Sequence, residues 1–95
     1  MFPKPSDGVY TIYTKTDCAY CVKVKGVLEK ENVVLVNCDT LIENDRDGFL
    51  NSMDTLTGKK HRTFPFVFHN LDFIGGCDDT ILYYNKNNLV FDSEF

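Results

Sequence analysis

Between residues 9 and 37 the chain passes from one apolar rhythm to another and back. Val9-Tyr10-Thr11-Ile12-Tyr13-Thr14 is β-branched and aromatic throughout and reads as a buried strand. A polar break follows at Lys15-Thr16-Asp17. Tyr20, Val24, Val27 and Leu28 then recur at the i, i+4, i+7, i+8 positions of an amphipathic helix, with Lys23, Lys25, Glu29 and Lys30 on its other faces. Asn32 is expected to end that helix, and Val33 to Asn37 reads as a second strand. Strand–helix–strand at this spacing is a βαβ unit, which requires parallel strands and a right-handed crossover. Few folds of 95 residues can be built around it.

The remainder completes a layered α/β arrangement. A second helix is expected from about Asp45 to Thr57, with Phe49, Leu50, Met53 and Leu56 on one face and Gly58 as its C′ residue. Phe66 to His69 reads as a third strand, and Asn70-Leu71 as a tight turn into a fourth, Asp72 to Ile74, making an antiparallel hairpin. Gly75-Gly76 should end the sheet. Asp78 and Asp79 are expected to cap a third helix over Thr80 to Lys86, and the tail from Asn87 to add a turn or fray. The order is β-α-β-α-β-β-α, a four-stranded mixed sheet flanked by helices in a single domain over residues 1–95.

Composition narrows the function classes. With 43% hydrophobic, 14% aromatic and 25% charged residues, the chain is not disordered, collagen-like or held together mainly by disulfides. The longest apolar run, Val33 to Val36, is far short of the ~20 residues of a membrane span. The start MFPKPSDG has no apolar signal-peptide core, so the cytoplasm is the expected address. A net charge of −4 argues against duplex nucleic acid or an anionic membrane as the main partner. Lys59, Lys60 and Arg62 nevertheless cluster around His61, which suits a small anionic ligand; a solvated loop is the plainer reading.

Four cysteines in a reducing compartment point to catalytic, metal-binding or buried roles rather than a disulfide framework. Cys18 and Cys21 form a C-x-x-C pair. Cys18 falls where the first strand meets the first helix, where unpaired N–H groups and the helix dipole favour thiolate over thiol. Cysteines so placed have pKa values lowered from ~8.5 to roughly 3.5–7.5. Lys15 adds positive charge and Asp17 opposes it. Cys21, one turn inside the helix, should be shielded and keep its proton longer. One exposed low-pKa thiol and one protected partner make an attacking and a resolving pair.

Four separated segments resemble the glutaredoxin family, of thioredoxin-like fold. Lys15-Thr16-Asp17-Cys18-Ala19-Tyr20-Cys21 is similar to K-[ST]-x-C-P-Y-C, and Thr57-Gly58 with Arg62-Thr63-Phe64-Pro65 to T-G-x-R-T-V-P. Phe73-Ile74-Gly75-Gly76 matches F-I-G-G, and Cys77-Asp78-Asp79 is similar to C/S/H-D-D. The resemblance covers roughly residues 9 to 89. It implies a glutathione-dependent thiol–disulfide oxidoreductase that acts as a monomer on glutathionylated or disulfide-containing proteins, ribonucleotide reductase among the candidates. Cys18 is then the nucleophile and Cys21 the resolving thiol. Phe64, before a cis Pro65, would pair its backbone with the glutathione cysteine as an added strand does. Lys15, and Arg62 or a neighbouring lysine, would face the glycyl carboxylate. Thr63 and Gly76 belong to the implied glutathione groove. Cys77, Asp78 and Asp79 would hold the γ-glutamyl end through helix N–H groups and the Asp79 side chain.

The chain also departs from the family pattern. Ala19 stands where proline is usual, Phe64 replaces valine, and three residues, Lys59-Lys60-His61, separate Gly58 from Arg62 where one is common. The missing proline raises an alternative: a [2Fe–2S] cluster held between two subunits by the first cysteine and glutathione, acting as carrier or sensor. Thioredoxin proper is a weaker alternative, because W-C-G-P-C is absent and the chain has no tryptophan. Cys38 reads as a small packed residue. His61 and His69 fit no common zinc spacing with Cys18 and Cys21, so no metal site is expected. Tyr20 can be read as a lid over the ligand or as part of the helix stripe, the lid being favoured on resemblance.

Overall fold

The computed structural model describes residues 3–88. The elements run β1 (Tyr10–Thr14), α1 (Ala19–Val27), β2 (Val33–Asn37), α2 (Asp39–Asn44), α3 (Arg46–Thr57), β3 (Phe66–His69), β4 (Asp72–Gly75) and α4 (Cys77–Asn88). The sheet order is β2-β1-β3-β4, with β1 parallel to β2 and antiparallel to β3, and β3 antiparallel to β4. The expected βαβ unit and hairpin are therefore both present.

Alternation along the two central strands sorts the core into two layers. Tyr10, Ile12 and Val67 turn to one face and pack with Val24, Leu28 and Cys77 beneath α1 and α4. Tyr13, Phe66 and Phe68 turn to the other and meet Cys38, Phe49 and Met53 beneath α2 and α3. Val24, Leu28, Phe66 and Phe68 are essentially fully buried. Each such side chain contributes about 1.5–3 kcal/mol relative to exposure. The apolar run of β2 lies at the sheet edge, where Val34 and Leu35 remain 39% and 53% exposed.

Three features depart from those expected by more than two residues. First, α1 ends at Val27 with Leu28 as its C-cap, five residues before Asn32, whose carbonyl instead accepts the Tyr10 N–H at 3.1 Å. Second, the short helix α2 is additional. The Asn37 side chain accepts the Asp39 N–H at 2.9 Å and starts it, and Leu41 and Ile42 pack on the aromatic layer. It stops at Asp45, whose extended backbone and side-chain oxygen, 2.9 Å from the Gly48 N–H, cap α3 instead. Third, α4 begins at Cys77 rather than Thr80, so Asp78 and Asp79 lie inside its first turn and do not cap it from outside. The Gly76 carbonyl accepts both the Thr80 N–H at 3.0 Å and the Thr80 hydroxyl at 2.7 Å. Asn87 and Asn88 complete the helix; the rest of the tail lies outside the described residues.

Candidate active site

The polar break after β1 becomes a tight turn. Asp17 adopts a left-handed backbone, φ 56, which aspartate tolerates better than most residues. Cys18 follows in extended conformation, φ −123 and ψ 105, as the N-cap of α1. Its carbonyl accepts the Val22 N–H at 3.1 Å, and its Sγ accepts the Cys21 N–H at 3.2 Å. The sulfur thus occupies the place a serine or aspartate oxygen takes in other caps, where donors and dipole favour negative charge. Ala19, in place of proline, opens the helix where a proline would have removed only an N–H that the helix leaves unpaired in any case.

Cys18 and Cys21 are joined by a disulfide, with their Cα atoms 5.2 Å apart. Cys21 is fully buried and Cys18 half-buried, so an incoming thiol meets Cys18 first. The turn is braced from α2. The Thr16 hydroxyl and the Thr16 N–H (2.9 Å) both donate to the Asp39 carboxylate. Those two bonds, helped by the Asn37 side chain and the charge of Lys15, hold the Asp39 carboxyl below the usual carboxylate range.

Two adjoining hollows of about 450 Å³ each share Tyr20, Thr63 and Phe64, and Cys18 lines the first. Lys15 and Arg62 line the first; Gly76, Cys77, Asp78 and Asp79 line the second. Pro65 is buried behind the shared wall, after a cis Phe64–Pro65 bond as expected. Phe64 stacks on Phe49 with ring centroids 5.7 Å apart, and Lys15 Nζ lies 5.4 Å from the Phe64 ring. Tyr20 is 60% exposed, so it is a groove residue and not part of the buried helix stripe. At the far end Asp79 rests against Gly75, whose φ of +139 suits only glycine; a Cβ there would come 2.6 Å from the Asp79 Cβ.

The basic cluster divides. Lys60 lines neither hollow, and Lys59 lines a separate one with Asp72 and Lys86. Arg62 faces the groove, but its guanidinium holds both oxygens of Asp54 at 2.6 and 3.0 Å. The Asp54 carboxyl is lowered first by those hydrogen bonds and then by the positive charges of Arg62 and Lys60. His61 enters the second hollow, edge-on to Phe66 and Phe73 at 4.9 and 5.4 Å, with its ring in the space Gly76 leaves free. Arg46, Ile42 and Leu50 also line the first hollow, a placement the sequence pattern does not reveal, because the break between α2 and α3 that aims them there is carried by a single Asp45.

The environments of the other sulfurs favour the neutral thiol. Cys38 is fully buried, and burial pushes its thiol up to about 12. Cys77 is 6% exposed; burial raises its thiol, with Lys23 opposing and Asp78 adding to the shift. No group of three or more His, Cys, Asp or Glu side chains fit to hold a metal occurs among the described residues. Cys18 Sγ, the protein sulfur that a [2Fe–2S] cluster would use, is here bonded to Cys21.

The glutaredoxin family model matches residues 10–74. Glutaredoxin-C6 of Oryza sativa subsp. japonica is 35% identical over 79 residues, covering 83% of this chain and 69% of that protein. Human Glutaredoxin-2, mitochondrial, is 33% identical over 87 residues, covering 90% of this chain and about half of its own length, 51%. Among solved structures, wheat glutaredoxin superposes with a TM-score of 0.70 at 32% identity, over 90% of this chain and 78% of that one. A buckwheat glutaredoxin–glutathione complex gives 0.67 at 29% identity, over 85% and 72%. The sheet order and flanking helices are the thioredoxin-like fold of those structures. The match thus spans β1 to β4, the cysteine turn and the proline loop together, and this chain belongs to the glutaredoxin family, with the C-x-x-C pair of a thiol–disulfide oxidoreductase.

Proposed function

We propose that the chain is a glutathione-dependent oxidoreductase that reduces glutathionylated proteins and protein disulfides through Cys18. The observation that carries this reading is the half-exposed N-cap sulfur on a hollow with cations on its wall, which adjoins a second hollow at the start of α4. Glutathione carries carboxylates at both ends and suits that polarity. Its cysteine would pair with the Phe64 backbone, which precedes β3 and lies outside its ladder. The γ-glutamyl carboxylate would meet the first N–H groups of α4, and its amine Asp79. Lys15 would face the glycyl carboxylate. Crystals of buckwheat glutaredoxin with glutathione support this choice of co-substrate.

The chemistry is two sulfur exchanges. The Cys18 thiolate attacks the glutathione sulfur of a mixed disulfide; that S–S bond breaks, and the protein thiolate leaves and takes a proton. A second glutathione thiolate attacks the glutathione sulfur now on Cys18, releasing oxidised glutathione and restoring the Cys18 thiolate. With a substrate disulfide, of the kind ribonucleotide reductase forms, Cys18 makes the mixed disulfide with substrate. Cys21 then attacks the Cys18 sulfur, expels the reduced substrate and leaves the Cys18–Cys21 disulfide described above.

Glutathione-dependent reduction of a small glutathione mixed disulfide tests the reading. Cys18→Ser should lose at least about a thousandfold in turnover, while Cys21→Ser retains it within about threefold. Absence of glutathione-dependent turnover in the unmodified chain, or full activity in Cys18→Ser, would refute it.

A further inference from the structure

The two edges of the sheet are built differently. β4 begins on the charged Asp72, breaks register against β3 between Val67 and Phe68, and ends on Gly75. Charge and irregularity of that kind keep a strand edge from recruiting another chain. β2 has neither guard. Its five residues, Val33–Asn37, include no charge, proline or glycine and keep regular register with β1 throughout. Val34 and Leu35, on opposite faces of the sheet, are both exposed.

Two hydrogen bonds fix the direction of the free backbone groups. The Tyr10 N–H donates to the Asn32 carbonyl at 3.1 Å, and the Cys38 N–H to the Thr14 carbonyl at 2.8 Å. Even-numbered residues from 32 to 38 therefore turn their backbone toward β1. Val33, Leu35 and Asn37 turn theirs outward, where the sheet order supplies no neighbour.

We propose that β2 pairs with β2 of a second copy, antiparallel about a two-fold axis through Leu35, so that two chains share one continuous sheet. In that register Leu35 faces its own counterpart and Val33 faces Asn37, and every outward N–H and C=O of these residues is paired. Val34 meets Val36 on one face and the two Leu35 side chains meet on the other, cross-strand pairs of the kind that stabilise sheets. The occupant is a second copy because the strand is its own complement. The axis sets residue 35 against itself, where a charge would oppose its like, and the strand carries none. The next residues in register are Glu31 and Asp39, two carboxylates. Each is tied within its own chain, Glu31 to the Tyr84 hydroxyl at 2.9 Å and Asp39 to the Thr16 N–H at 2.9 Å, so the pairing stops where the strand does. No residue of β2 lines either hollow of the active site. The association is therefore independent of the oxidoreductase reading, and it replaces the monomer implied by the family resemblance.

Sedimentation equilibrium of the oxidised chain, from about 5 to about 500 μM, tests the proposal in the unmodified chain, Leu35→Lys, Leu35→Glu and Leu82→Lys. Leu82 is an exposed leucine of α4 and controls for lost surface apolarity. The unmodified chain should dimerise with a Kd of about 10–100 μM, as suits an interface below the standard size. Each charged variant at residue 35 should weaken dimerisation at least about tenfold, and an equimolar mixture of the two should restore it, because lysine then faces glutamate across the axis. Leu82→Lys should dimerise as the unmodified chain does. A second measurement needs no variant: amide exchange at Val33, Leu35 and Asn37 should slow as concentration rises, while the β4 edge is unaffected. An unmodified chain monomeric at the top of that range, a mixture of folded variants that forms no dimers, exchange that ignores concentration, or a dimer that disappears in Cys18→Ser overturns the proposal.

Discussion

The starts of α1 and α4 both carry a cysteine and both border the groove, yet they present their sulfurs in opposite ways. Cys18 precedes α1 as its N-cap, half-exposed, with its sulfur taking the Cys21 N–H. Cys77 is the first residue within α4, 6% exposed and packed with Tyr10, Ile12, Val24, Leu28 and Val67. Nearness to a helix N-terminus is therefore not what makes a thiol reactive. A sulfur one position earlier, on extended backbone, faces the free N–H groups and the solvent at once; one position later it turns into the core, and desolvation outweighs the dipole.

The largest effect that would break this contrast is kinetic. After reduction, iodoacetamide at pH 7 should modify Cys18 at least about a hundredfold faster than Cys77 or Cys38, as followed by mass mapping of peptides over time. Comparable rates at Cys18 and Cys77 would mean that α4 opens and exposes its first turn. A smaller effect sharpens the packing half of the comparison. Cys77→Ala should lower unfolding stability by about 1–2 kcal/mol in urea titrations, because it empties part of the layer under α1 and α4. A neutral result would show that its sulfur is not packed as described.

The smallest effect concerns the brace on the cysteine turn. The Asp39 carboxyl is held below its ordinary range in the folded chain, chiefly by the Thr16 hydrogen bonds. A folded-state value below the unfolded one adds stability that is present above about pH 4 and disappears as pH falls through the depressed value. Urea midpoints should accordingly be level from neutrality to about pH 5 and fall below about pH 4. Asp39→Asn should flatten part of that acid limb. An acid limb unchanged in Asp39→Asn would assign it to other carboxylates, Asp54 first.

Much of this was legible because the informative patterns are local. The β-branched and aromatic β1, the Asn70-Leu71 turn between β3 and β4 and the C-x-x-C turn each declare themselves within about six residues. The boundaries that moved depend on competition between equivalent signals. Asn37, Asp39 and Asp45 are all good caps, and only packing of Leu41 and Ile42 onto the aromatic layer decides that two helices form, broken at Asp45. Asp78 and Asp79 look like caps from sequence, but the Gly76 carbonyl already has Thr80 as its partner and starts α4 ahead of them. The pairing of Arg62 with Asp54 joins residues eight apart across a helix end, which no periodicity reveals.

One carbon that is absent from the sheet's last residue has reach beyond the sheet. Asp79 is seated where the side chain of residue 75 would otherwise stand, and the φ of +139 at Gly75 closes that position to other residues. Strand end and groove end are thus a single object read from two sides. A methyl group added at residue 75 would displace the Asp79 carboxylate, and with it the amine contact proposed for that side chain.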